Sequence, residues 1–267
     1  MTTIASFATI SHHYKKLYLM SDSRITWPIN GLPTFDNSTK IFPLKDGPDV
    51  FAYCGDSLFS LSVLSRIKTQ LESYYDYVKS NNVDWKMEKV KAFLNMSLSH
   101  YPKDHLTQNI EITHFMAVEN EFYGFRYCFN NETKEPFKEE KINVPDQTGF
   151  VDASGSGAAD FRIQLTKQFN HYGQYAYSIF YTFYEFIKSG NDPKTGGAPQ
   201  IVQLGSDGKI KLIGIYSDEE INVLGESNEF WKNEYSIEIR SKFFELVDSE
   251  GERLTNEKDR SYQEFIK

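Results

Sequence analysis

The strongest constraint on the fold of this 267-residue chain is the order in which two hydrophobic periodicities follow one another. Alternation with period two marks half-buried strands, and apolar residues three and four apart mark core-facing helices. Residues 2–26 alternate on either side of the polar SHHYKK, with Ile4, Ser6, Ala8 and Ile10 on one parity, so they predict two strands joined by a hairpin. The run INGLPTFDNST has loop chemistry. KIFPL and DVFAYCG predict a second strand pair turning through Asp46-Gly47-Pro48. Asp56 then caps a helix whose stripe is Leu58, Leu61, Leu64, Ile67 and Leu71, and a second helix runs from Asp84 to about His100 with Val90, Phe93 and Leu94 inward. IEITHFMAV and EFYGFRYCF form another strand pair, followed by a polar surface excursion, NNETKEPFKEEKINVPDQ.

The pattern then repeats. One helix opens at ASGSGAAD and runs through Phe161, Leu165 and Phe169. Another, YAYSIFYTFYEFIK, turns Ile179, Phe180, Phe183 and Ile187 inward and stops at Gly190. PQIVQLG and KIKLIGIY close the series as strands hinged at Ser206-Asp207-Gly208. Strands in runs and helices in runs specify layered α+β with mostly antiparallel sheets, helix pairs covering the outer faces of two stacked sheets. Residues from about 217 onward read as an appended strand and helix, or a tail.

Function classes narrow by exclusion. With 29 Lys+Arg against 37 Asp+Glu, the net charge is −8 and no dense basic stripe exists for a nucleic acid backbone. No apolar run approaches the ~20 residues of a membrane span, and the N-terminus lacks a signal-peptide pattern. Cys54 and Cys128 lie far apart and read as two buried thiols of a reducing cytoplasm. The six His are scattered and read as structural or solvated, so neither a metal nor another cofactor is expected; the carboxylates of Asp46/Asp49 and Asp218/Glu219 read as solvated loop residues.

Four features remain: Thr2-Thr3-Ile4 after Met1; Asp22-Ser23-Arg24 closing the second strand, with Lys40 ahead of the next; Gly155-Ser156-Gly157 opening a helix; and Asp192-Pro193-Lys194-Thr195-Gly196-Gly197 after the other. Singly, each is an ordinary strand end, turn or loop. In this order and on these elements they resemble the proteolytic β-subunits of the proteasome, within the N-terminal nucleophile hydrolases, over about residues 2–215. The family's D-S-R-x-T matches Asp22 to Thr26, its Lys before a hydrophobic residue matches Lys40-Ile41, its strand-end Gly matches Gly55, and its D-x-x-S-G-G matches Asp192 to Gly197 with Thr195 for Ser. The first hairpin and the loop after it are a few residues longer than usual. Met1 directly before Thr2 is similar to the bacterial HslV-type peptidases, whereas Arg24 and the Asp192 motif are closer to the proteasome proper.

The resemblance implies a four-layer αββα sandwich over residues 1–215, with 216–267 as an extension packed on it or trailing from it. It implies a threonine-type endopeptidase in which removal of Met1 frees Thr2. A threonine hydroxyl needs an adjacent base, and a free α-amino group, with a pKa of about 7.7–8.0, titrates near neutrality. Lys40 would lower the pKa of both groups of Thr2, Asp22 would hold Lys40, and Ser156, Asp192 and Thr195 would orient the amine. The Gly55 N–H would face the oxyanion, and Arg24 would tie down a loop. Tyr53 would floor a shallow apolar specificity pocket with Ile25 and Phe42, or else turn into the core. The resemblance further implies polypeptide substrates, a homo-oligomeric ring in the cytoplasm and a separate ATP-driven unfoldase, since no ATPase motif is present. A silent scaffold that keeps Met1 and a small-molecule amidase are the alternative readings.

Overall fold

The computed structural model describes residues 2–27, 34–45, 47–227 and 237–254. The expected loop over 29–33, Asp46 and much of the tail, along with Met1, lie outside the described residues. The chain opens with β1 (Thr3–Ile10) and β2 (Lys15–Ser21), followed by a short ribbon, β3 (Ile25–Thr26) paired with β4 (Thr34–Phe35). β5 (Ile41–Pro43) and β6 (Asp49–Gly55) lead to α1 (Ser57–Ser73), a short α2 (Tyr75–Lys79) and α3 (Val83–His100). β7 (Ile110–Val118), β8 (Glu121–Phe129), β9 (Lys138–Ile142) and β10 (Gly149–Gly155) precede α4 (Ala158–Tyr172) and α5 (Ala176–Ser189). β11 (Gln200–Gly205), β12 (Ile210–Ser217), β13 (Glu220–Val223), β14 (Glu226–Ser227) and β15 (Glu238–Ser241) complete the chain.

These strands form two stacked sheets. One runs β10-β1-β2-β11-β12-β13-β14, antiparallel throughout, with β15 joining β12 in parallel; the other runs β5-β6-β7-β8-β9. Parity along each strand sends one set of residues between the sheets and the other under the helices. Ile4, Leu19, Ala52, Phe115 and Val202 fill the space between the sheets. Phe51, Tyr53 and Ile112 meet α1 and α3, and Ala5, Phe7 and Ile201 meet α4 and α5. The result is the four-layer αββα sandwich. Each buried aromatic of α5, such as Phe180 or Phe183, contributes roughly 1.5–3 kcal/mol by leaving water.

The structure corrects several details of the sequence reading. Leu58 is 68% exposed, because the buried stripe of α1 is Phe59, Val63, Leu64, Ile67 and Leu71, one residue round the helix. The polar excursion after β8 contains edge strand β9 and a fully buried Phe137, packed on Phe59 and Phe129. The second strand, read as running through residue 26, ends at Ser21, and Ile25–Thr26 form a separate ribbon with Thr34–Phe35 of the expected loop, while β10 has too little alternation to read locally. Beyond residue 217 the described residues form strands, not a helix. Cys128 is half-buried rather than buried, its thiol pushed up to about 11 by burial and by Glu111.

Asp49 departs furthest from its sequence reading. It is fully buried rather than solvated, and its carboxylate meets Lys86 Nζ of α3 at 2.8 Å, the Tyr77 hydroxyl of α2 at 2.9 Å and His114 Nε2 of β7 at 2.9 Å. His114 is thereby structural, as its sequence setting suggests. Burial works against the Asp49 carboxylate, but His114 and Lys86 hold it below the usual range, while burial lowers His114 against the pull of Asp49. Both groups therefore bind protons more weakly folded than unfolded. Stability from this cluster is complete above the ordinary histidine value of about 6.5 and declines as pH falls through it, then further through the carboxylate range. Thermal unfolding midpoints measured from pH 8 downward should be level at first and begin to drop near pH 6.5.

Candidate active site

The site lies where β1 begins and β2, β6 and β10 end. Asp22, the residue after β2, bonds back to β1: its Oδ1 accepts from Thr3 N at 3.1 Å, and its own N–H donates to Thr3 O at 3.4 Å. The same Oδ1 accepts from Lys40 Nζ at 2.9 Å, while Oδ2 accepts from the N–H groups of Gly196 at 3.0 Å and Arg24 at 3.2 Å. Lys40 also donates to the Arg24 carbonyl. Asp22 is fully buried and Lys40 is 1% exposed. Burial drives both toward neutrality, raising Asp22 against Lys40 and lowering Lys40 against Asp22.

A chain of hydroxyls closes the other side. Asp192 Oδ2 accepts from Ser156 Oγ at 2.7 Å and from Thr195 Oγ1 at 2.8 Å, and Oδ1 accepts from Lys194 N at 3.0 Å. Burial opposes its charge, yet these donors, Ser156 first, hold Asp192 below the usual carboxylate range. Thr195 Oγ1 lies 2.7 Å from Thr3 Oγ1, so the Thr195 hydroxyl joins Asp192 to the Thr3 side chain, a partner the sequence motif did not single out. Ser156 N donates to the Thr2 carbonyl at 3.0 Å, fastening the first described residue to the turn ahead of α4. Thr2 is 3% exposed.

The glycines have steric reasons. Gly155 sits at φ +93°, and a Cβ there would overlap the Thr2 carbonyl oxygen. Gly55 ends β6 at φ +101°, where a Cβ would overlap the Asn109 carbonyl oxygen. Gly155→Ala should therefore cost more than about 1 kcal/mol of stability and displace Thr2; a lowered melting temperature with loss of any Thr2-dependent activity is the expected result. Arg24 pairs in bidentate fashion with Asp36, at 2.7 and 2.8 Å, and reaches the Pro193 carbonyl, so it ties two loops together.

Around the site, Ile25 and Phe42 are half-buried, while Tyr53 is fully buried in the core beneath the helices with its ring 6.3 Å from that of Phe42. Cys54, beside Gly55, is buried; burial and Glu111 push its thiol far up, so it holds its proton and is no thiolate nucleophile. Sequence reasoning also missed Gln200, whose side chain is fully buried among the backbones of Asp22, Ser38 and Lys40. Its one local signal is an amide at the start of an otherwise apolar strand. Among the described residues no cluster of three or more His, Cys, Asp or Glu could hold a metal, and no helix is long and apolar enough to cross a membrane.

This sandwich, with its N-terminal strand β1 held between the edge strand β10 and β2 in one sheet, has the N-terminal nucleophile hydrolase fold. No protein-family model and no curated protein matches the chain in sequence. Solved structures do match it: the Gly-1 mutant of Anbu from Hyphomicrobium sp. strain MC1 is 11% identical, covering 87% of this chain and 91% of its own at a TM-score of 0.51. Anbu from Yersinia bercovieri, described as an ancestral beta-subunit, is 9% identical, covering 84% and 88% at a TM-score of 0.52. The likeness to these two Anbu structures is one of fold.

Proposed function

We propose that this chain, once Met1 is removed, is a proteasome-like threonine endopeptidase with Thr2 as its nucleophile. The observation that carries this reading is the buried Asp22 carboxylate, which bonds Thr3 N and Lys40 Nζ through one oxygen and so ties a lysine to the start of β1. In the proposed reaction the Thr2 hydroxyl adds to the peptide carbonyl carbon while its own α-amine takes the proton, directly or through one water. The tetrahedral oxyanion faces the Gly55 N–H, a contribution of roughly 3 kcal/mol. The protonated amine then gives its proton to the leaving amine as the C–N bond breaks. The resulting ester on Thr2 is hydrolysed by water, which the same amine activates. Lys40 keeps the pKa of the hydroxyl and amine low, and the Ser156–Asp192–Thr195 chain holds the amine in orientation.

In this reading Ile25 and Phe42, both half-buried, line a shallow apolar specificity pocket that suits small or medium apolar residues before the scissile bond, while Tyr53 turns into the core behind Phe42 and does not line it. Residues 1–215 are the hydrolase domain and 216–267 its extension. Polypeptide substrates, a ring of identical copies and a separate ATP-driven unfoldase acting in the cytoplasm complete the reading. It is supported by the fold shared with a protein described as an ancestral beta-subunit and by the free cysteines. The deciding experiment is the intact mass of the purified protein together with its cleavage of fluorogenic peptides. Loss of one methionine with Thr2-dependent cleavage supports the peptidase. A retained Met1 leaves Thr2 with an amide nitrogen that cannot act as a base, and supports the scaffold; cleavage of simple amides but not peptides by a monomer supports the amidase.

A further inference from the structure

We propose that Gln200 is a positioning residue for the Lys40–Asp22 pair, and that the turn between β13 and β14, in the C-terminal extension, locks it in place. The inference rests on the hydrolase reading above and gives the extension a role in the site. Gln200 opens β11 opposite Ser21, the neighbour of Asp22. Its Oε1 accepts from Lys40 N at 2.9 Å, and its Nε2 donates to the Ser38 carbonyl at 2.5 Å and the Asp22 carbonyl at 3.4 Å. One amide thus fastens the backbones of both members of the ion pair. A buried amide costs several kcal/mol less when bonded than when not, so this one resists any shift that would break its contacts.

The second part follows from the turn. Val223 pairs with Glu226, leaving Leu224 at φ +50° and Gly225 at φ +86° as a two-residue hairpin loop. A branched apolar residue in the left-handed region is held there only by its surroundings. Gly225 itself is tightly packed: a Cβ on it would come 2.6 Å from Ser23 Cβ and 2.9 Å from Gln200 Nε2. The turn backbone therefore lies directly on Gln200 and on the residue after Asp22. Ser23 in turn donates its N–H to the Gly196 carbonyl and accepts from Ser38 N, each at 3.0 Å, so the contact reaches both loops of the site.

The test follows the Lys40 side chain by NMR. In the chain that begins at Thr2, isotope-labelled lysine is titrated in the wild type, Gln200→Met and Gly225→Ala, with the Lys40 signal assigned from its loss in Lys40→Met. The groups that face Lys40 are Asp22, Asp36, Cys54 and the Arg24 carbonyl, and none is altered. Both variants should move the Lys40 midpoint by about one pH unit and lower kcat by about tenfold or more, with KM within about twofold. A folded variant with unchanged Lys40 midpoint and kcat overturns the proposal. If Gln200→Met does not fold, Gln200→Asn, an uncharged amide one methylene shorter, takes its place, and an unchanged Lys40 midpoint and kcat in that variant would overturn the proposal. A wild type that cleaves no peptide sinks the peptidase reading alone, because the titration still decides the role of Gln200.

Discussion

Thr2→Ala should reduce peptide cleavage by at least about a thousandfold while leaving the melting temperature close to that of the processed wild type. The large effect follows from placing nucleophile and base on one residue. Alanine keeps the α-amine, the Thr2 carbonyl that accepts from Ser156 N, and the Asp22–Lys40 pair, so only the attacking oxygen and the γ-methyl beside it are lost. Thr2→Ser is the companion variant: it keeps the oxygen and should retain measurable cleavage. Activity in Thr2→Ala within tenfold of wild type would mean that another group does the chemistry. The protonated Cys54 is a poor candidate for that group.

The largest loss of stability should come from a residue outside the site. Lys86→Met keeps the length of the side chain but removes the cation from a cluster in which Asp49, Lys86 and His114 are all fully buried. Lys86 Nζ bonds Asp49 Oδ2 at 2.8 Å and stands 4.6 Å above the centre of the Tyr77 ring. Breaking a buried pair from one side leaves an uncompensated charge and costs about 3–5 kcal/mol, a large share of a domain stability of about 5–15 kcal/mol. Urea unfolding should show a lower midpoint with an unchanged slope. Asp49→Asn on top of Lys86→Met should recover part of the loss, because the orphaned charge is gone. If Lys86→Met is neutral, the cluster is not the pin that joins α2 and α3 to the sheet.

Asp49 shows why the sequence underdetermines such a pin. It follows a Gly-Pro breaker, where local chemistry favours a solvated carboxylate, yet its partners Tyr77, Lys86 and His114 come from 28, 37 and 65 residues along the chain. Nothing within a turn or a strand announces that meeting. Leu58 is a smaller instance of the same limit, since two helical stripes one residue apart both look apolar and only the sheet beneath chooses between them. Tyr53 shows the limit again: period two puts it on one face of β6, but α1 and α3 decide that this face is closed core.

What the sequence alone determined is whatever depends on residues near one another in the chain. Period-two runs fixed most strands, three- and four-residue spacing fixed the helix pairs, and their order fixed the layered sandwich. Gly55, Gly155 and the Asp192 turn, each ordinary by itself, were legible only through the motif resemblance, and the structure supplies the steric reason for the two glycines. Asp22 and Lys40 were legible only as parts of a motif resemblance. The tertiary structure alone decided which groups lie against them: the Thr3 hydroxyl on Thr195, the Gln200 amide across three backbones, and the Gly225 turn against Ser23 and Gln200. The physical reason is that buried polar groups must be satisfied by whatever the fold brings within about 3 Å, and sequence distance carries no information about which groups those are.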